Sequence, residues 1–278
     1  MTIATRTVAT AMLLTMLHGL AASVAAQTTV PERVTLTAEQ METFLLEAKV
    51  VKSRPSKSGT TGTLIITLSD GMLTHDAQAQ FVDIEHAFYK VQNYTESNFK
   101  DFFGFNIAAY KLAVLLGFEN VPVSVARSVT GKPAAVTWWL ENAMTEEARR
   151  MKSATDPNEQ RFAHYRYRQQ LFDELIQNRD RNTGNTLYTA DWMTWMVDHT
   201  RSFRLSTDLG KPDELIRVER SLYDNLKKLT VTSLATAVGK QLRKAEVEAV
   251  IARRDVIVNH FDARIAKSGE ASVLYTYP

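Results

Sequence analysis

The stretch NIAAYKLAVLLGF, Asn106 to Phe118, reads as a helix that is apolar almost all round and stops at Gly117. A helix with so little polar face has to be enclosed, so the rest of the chain must build walls around it. Glycine accepts the left-handed conformation that ends a helix, which makes Gly117 the expected C-terminal cap. With 278 residues, 45% apolar and 23% charged, the chain has the length for a large core and an ordinary globular balance.

The walls are legible on both sides of this helix. TLTAEQMETFLLEAK opens with another helix, in which Thr37 is the N-cap, Gln40 completes a capping box, and Met41, Phe44 and Leu45 share a face. Strands follow: β-branched residues cluster in Leu64 to Leu68, and Asp70-Gly71 is a hairpin turn. VPVSVARSV and KPAAVTWWLE read as two more strands turning at Gly131-Lys132. From Glu146 the pattern becomes mainly helical. EQRFAHYRYRQQLFDELIQN places Phe162, Tyr165, Phe172 and Ile176 on one helical face, and NTLYTADWMTWMVDH is a short hairpin. ELIRVERSLYDNLKKL, VTSLATAVGKQL and KAEVEAVIARRDVIVNHFDARI read as three further helices. A strand-rich half of roughly 27–141 before a helix-rich half of 142–278 is an α+β order.

The formal net charge is +2, without the basic excess of a nucleic-acid binder, so no nucleic-acid partner is expected. The absence of cysteine removes thiolate chemistry, zinc–thiolate sites and disulfides. Residues 1–26 read as a signal peptide: Arg6 precedes an apolar stretch, and Val24-Ala25-Ala26 offers small residues for cleavage after Ala26. An uncleaved anchor over Val8 to Ala26 is the alternative. Either way the body of the protein is expected outside the cytoplasm, periplasmic or secreted, and free of the membrane once the leader is cleaved.

Chemistry concentrates in LIQNRDRNTGNTLYTADWMTWMVDHTRSF, Leu175 to Phe203. NRDRNTGN alone is a plausible solvated turn, rich in turn formers. As a calcium loop it fails: Gly184 comes one place late, and Thr189 stands where a bidentate Glu is needed. Phosphoryl transfer fits better. It needs a carboxylate beside the attacking hydroxyl, an Asn five residues later for a metal, and an Asp beyond a short strand for Mg²⁺. Asp180, Asn185 and Asp198 have that order and spacing.

This segment resembles the D-R-H/N-x-x-N … I-D-H/F-G run of atypical protein-kinase folds, of the HipA-type and phosphoinositide-kinase-like branch. NIAAYKLAVLLGFENVPVSV resembles the E-x-A-A-y-x-L-x-x-L-L-G-x-x-x-V-P helix and strand of the same bacterial relatives, and GKPAAVTWWLE their strand into the hinge. The resemblance runs from about Gly59 to Phe203 and implies a two-lobed kinase-like fold. It implies ATP and Mg²⁺, or Mn²⁺, as cofactors, with Asp180 as catalytic carboxylate and Asn185 and Asp198 as metal ligands. Arg179 and Arg181 flank Asp180, and a structural pairing is the role expected of one of them. His199 is expected to be packed and hydrogen-bonded. Thr200 and Arg201 follow it where relatives tend to have Gly.

Kinases also carry a Lys on a strand, paired with a Glu on the next helix. Here the Glu position falls on Asn106, and two residues compete for the Lys position. Gln80 in HDAQAQF matches the strand and would make a neutral Gln–Asn pair. Lys90 in HAFYK is preferred, because a cleft for ATP phosphates needs a cation. KSGTTGT offers a phosphate-covering loop through Ser58, Gly59, Thr60 and Thr61. Backbone near Trp139 and Leu140 is expected to meet adenine at the hinge, with the Trp138 and Trp139 side chains on opposite sides of the strand. The resulting expectation is a phosphotransferase acting on an unknown acceptor: a protein, a lipid or a small alcohol. A catalytically silent nucleotide- or partner-binding pseudokinase is the alternative, because of Asn106. Oligomeric state has no sequence signal.

Overall fold

The apolar helix ending at Gly117 is enclosed, as expected. In the computed structural model, which describes residues 36–56, 62–91 and 94–277, α2 spans Gly104–Leu116. Ten of its residues are buried, among them Phe105, Leu112 and Leu116. Each such side chain contributes roughly 1.5–3 kcal/mol of burial. Gly117 ends the helix at φ 66° and ψ 38°, and its N–H returns to the Ala113 and Val114 carbonyls.

The wall on one side is a five-stranded sheet in the order β1-β2-β3-β7-β6. Its strands are β1 (Lys49–Pro55), β2 (Leu64–Ser69), β3 (Thr74–Gln80), β6 (Ser124–Val129) and β7 (Lys132–Trp138). All the pairings are antiparallel, with Ile66 opposite Ala77 and Ala79 opposite Val136. The β2–β3 turn is tied by Asp70, whose Oδ1 accepts from the Met72 and Leu73 N–H groups at 2.8 and 2.7 Å. Helix α1 (Ala38–Glu47) carries the Thr37–Gln40 capping box and packs Phe44 and Leu45 inward.

Between β3 and α2 the chain makes a second hairpin, β4 (Asp83–Val91) and β5 (Tyr94–Phe102). This hairpin carries no strong local signal in the sequence. Among its described side chains Phe99 and Asp101 are buried, Glu96, Lys100 and Phe102 half-buried and the rest exposed, so no alternation of apolar and polar residues marks it.

The other walls are helical. They include α3 (Glu146–Met151), preceded by the two-residue strand β8 (Met144–Thr145), and α4 (Glu159–Leu175). After α4 comes the hairpin β9 (Thr186–Tyr188) and β10 (Thr194–Met196). Then follow α5 (Arg220–Lys228), α6 (Val231–Val238) and α7 (Lys244–Ser268). α5 and α6 pack against α2. α5 is shorter than its sequence suggests. Pro212 starts a 3-10 turn, and Val218–Glu219 instead forms a strand, β11, parallel to Leu274–Tyr275, β12. Arg253 of α7 is fully buried and donates to the carbonyls of Leu175 (2.8 Å), Arg204 (2.8 Å) and Ser206 (2.5 Å). Burial pulls its guanidinium down to about 10. No helix among the described residues is long and apolar enough to cross a membrane.

Candidate active site

α4 ends at Leu175, and the loop after it is fixed by charge. Arg181 pairs with Asp173 of α4 at 2.9 Å and donates Nη1 to the carbonyls of Asn185 (2.6 Å) and Val197 (2.7 Å). One guanidinium thus ties the loop to the helix behind it and to the strand beside it. Arg179 pairs with Glu174 at 2.9 Å. Both arginines therefore have structural partners.

The three residues singled out by spacing meet on one cleft of about 450 Å³. The Asn185 amide nitrogen donates to the Asp180 carbonyl at 3.0 Å, which fixes the amide so that its oxygen is the atom that could meet a cation. Val197 N–H donates to the Asn185 carbonyl at 3.1 Å, bringing the strand that leads to Asp198 alongside the loop. Asp198 has φ 57°, a left-handed conformation that Asp tolerates better than most residues and that costs roughly 1–3 kcal/mol. Its Oδ1 accepts from Gln80 and from Thr200, each at 3.2 Å. Burial pushes the Asp198 carboxyl above the ordinary carboxylate range against these two hydrogen bonds, and the Asp101 and Asp180 charges add to the rise.

Gln80, not Lys90, meets Asn106. The Asn106 amide nitrogen donates to Gln80 Oε1 at 2.8 Å, and its oxygen accepts from the His199 N–H at 2.8 Å. A chain of neutral amides therefore links β3, α2 and the Asp198 turn. Lys90 stands exposed on β4 opposite Thr95 and is not among the residues lining the cleft. The preference for it fails because the hairpin carries it outward. His199 is buried and packed edge-on to Phe172 at 6.1 Å, and burial holds its ring neutral, well below the usual histidine range.

Just past β7, Trp139 and Leu140 line the same cleft. The Trp139 N–H donates to the Asp76 carbonyl at 3.3 Å, and its own carbonyl meets the His75 ring at 3.1 Å. Both of its backbone groups are thus engaged by β3, contrary to the expected adenine contact, which leaves Leu140 as the backbone candidate. Trp138 stacks on His75 at 3.8 Å. Ser58, Gly59, Thr60 and Thr61 lie outside the described residues.

Sequence reasoning missed two lining residues, Asp101 and Arg201. Arg201 Nε donates to Asp101 Oδ2 at 3.0 Å, and Nη1 lies 3.8 Å from Asp180 Oδ2. The only signal for Arg201 was its departure from Gly, and β5, which carries Asp101, was not foreseen. A larger cavity of about 610 Å³ abuts the opposite side of the loop. There each acidic side chain already has a basic partner: Glu146 with Arg149, Asp173 with Arg181, Glu174 with Arg179 and Glu214 with Lys211.

The oxygen donors Asp198 and Asn185 suit a hard divalent cation such as Mg²⁺ or Mn²⁺. Among the described residues no three His, Asp or Glu side chains form a metal cluster. A cation on those two donors would have coordination positions left for phosphate oxygens and water.

No protein-family model matches the chain, and no curated protein does. Solved structures do match. A hydra Fam20 with sugar aligns at a TM-score of 0.67 and 14% identity, covering 86% of this chain and 92% of that one. The Golgi casein kinase aligns at 0.60 and 16% identity, covering 87% and 80%. Its form with Mn/ADP bound aligns at 0.59, also at 16% identity and with the same coverage. The likeness concerns the fold: this chain has an atypical protein-kinase-like fold, with a strand-rich N-terminal part and a helical C-terminal part.

Proposed function

We propose that the protein is a metal-dependent kinase that transfers the terminal phosphoryl group of ATP to an alcohol acceptor on a protein, a lipid or a small molecule. The reading is supported chiefly by one observation: Asp180, Asn185 and Asp198 line one cleft, in a fold shared with a kinase solved with Mn/ADP. Asp180 is the catalytic carboxylate. Its side chain is accessible, and it orients the acceptor hydroxyl and takes its proton. Asn185, through its amide oxygen, and Asp198 would hold Mg²⁺ or Mn²⁺. When bound, that ion supplies charge neutralisation at the phosphate oxygens. Arg181 keeps the loop in place, so that catalysis rests mostly on positioning and on fixed electrostatics. The proposal includes lobes dividing near Glu141, a relationship to the HipA-type and phosphoinositide-kinase-like branch, and export, with a mature chain from Gln27.

A second reading, a pseudokinase that binds nucleotide without turnover, is favoured by the neutral Gln80–Asn106 contact. Two measurements separate them. Thermal unfolding with ATP and Mn²⁺ should show stabilisation of roughly 2.7 kcal/mol at a hundred times the dissociation constant. Transfer of labelled phosphate should occur with wild type and fall about 10²- to 10⁴-fold in Asp180→Ala. Binding without transfer assigns the second reading, and no stabilisation by any nucleotide removes both.

A further inference from the structure

We propose that Arg201 is the cation that grips the nucleotide phosphates in this cleft, in place of a lysine on β3, and that Asp101 is its positioning residue. The inference rests on the phosphotransferase reading above. Among the described residues lining the cleft, Arg201 is the only Lys, Arg or His. The β3 position that meets α2 is Gln80, an uncharged side chain already engaged by Asn106 and Asp198.

The surroundings of Arg201 suit a ligand-binding role better than a purely structural one. Asp101 is buried and holds Nε at 3.0 Å, while its second oxygen, Oδ1, is buried without a partner. The Phe99 ring lies 5.5 Å from the guanidinium carbon and supports it further. Thr200, the preceding residue, is fixed by the Phe102 N–H at 2.9 Å, so the turn cannot drift from β5. The remaining contact, to Asp180 at 3.8 Å, is long, and both partners are more than one-third exposed. Such a contact is weak and readily exchanged for a phosphate oxygen. A guanidinium presents a planar fork of donors that suits phosphate.

Charge makes the same point. Asp101, Asp180 and Asp198 bring three carboxylates to the cleft, and among the described lining residues Arg201 is the one cationic side chain against them. Without Arg201 the described lining would offer a polyphosphate no positively charged side chain. Its position three residues after Asp198 puts the cation on the same turn as the proposed metal ligand, so that metal and guanidinium would share the phosphates.

The test is titration calorimetry of the full protein with ATP and ADP at fixed Mn²⁺. Arg201→Met is expected to weaken both nucleotides about 10- to 100-fold, the range of a lost charged hydrogen bond. The pair Asp101→Asn with Arg201→Met should show the same loss while leaving no stranded carboxylate, with its melting curve verifying the fold. Arg201→Lys keeps the charge and should stay within about tenfold of wild type. Unchanged affinity in the paired variant overturns the assignment and leaves the phosphotransferase reading standing. Equal losses with Met and Lys make Arg201 structural and overturn it too, as would a loss in Lys90→Ala with none in Arg201→Met. Failure of wild type to bind either nucleotide would instead remove the parent reading.

Discussion

On the helical wall of the cleft, the loop carrying Asp180 is held by ions: Arg181 with Asp173, Arg179 with Glu174, and Glu146 with Arg149 and Arg150 close behind. On the sheet wall, β3 and α2 meet through two neutral amides, Gln80 and Asn106. Ionic supports hold firmly because removing one partner strands a half-buried charge, but they respond to pH. Amide supports are indifferent to pH and contribute less each. The wall holding the proposed chemistry is braced by charges, while the wall where a kinase carries a Lys–Glu pair is braced here by neutral amides. A neutral–neutral contact remains satisfied, whereas losing one member alone would have left an unpaired ion.

The contrast is tested hardest at Arg181. Arg181→Met should cost about 3–5 kcal/mol in urea unfolding, because Asp173 is left half-buried without its cation and the Asn185 and Val197 carbonyls lose the Arg181 donor. A loss below about 1 kcal/mol would mean that ions do not support this wall. Glu146 gives the next largest effect. Burial pushes its carboxyl up, but hydrogen bonds from Arg149, Arg150 and Tyr188 outweigh this and bring it from 4.5 down to about 2. A depressed carboxylate stabilises the fold above its unfolded value, and that contribution is lost as pH falls through the folded value. The stability gap between wild type and Glu146→Gln, at most about 3 kcal/mol near neutral pH, should therefore close between pH 4.5 and about 2. A gap that stays constant over that range would refute the ionic account. The smallest effect belongs to the sheet wall. Asn106→Ala should cost about 1–3 kcal/mol, through the unpaired His199 N–H and Gln80 carbonyl, with no slope between about pH 5 and 8. A pH-dependent loss would show that this wall, too, is electrostatic.

Much of this could be read in advance where a local rule governs. The all-apolar α2, the Asp70-Gly71 turn and the Thr37 cap each follow from side-chain chemistry close along the chain, and Asp180, Asn185 and Asp198, which line one cleft, lie within 18 residues of sequence. What escaped depends on distance along the chain. Gln80 is chosen over Lys90 by Asn106 and Asp198, 26 and 118 residues away. Arg201 acquires its place only by meeting Asp101, 100 residues earlier. The start of α5 at Arg220 has the same cause: β11 exists because residues 274–275 come back to pair with it.

The buried Arg253 has one further consequence. Residues 204–206 lie just downstream of the Asp198 turn, and two of their carbonyls are captured by a guanidinium at the heart of α7. Swinging that stretch outward would abandon a full positive charge in an oily interior. The stretch after the Asp198 turn is therefore anchored from behind, through backbone carbonyls that no side-chain substitution within 204–206 would remove.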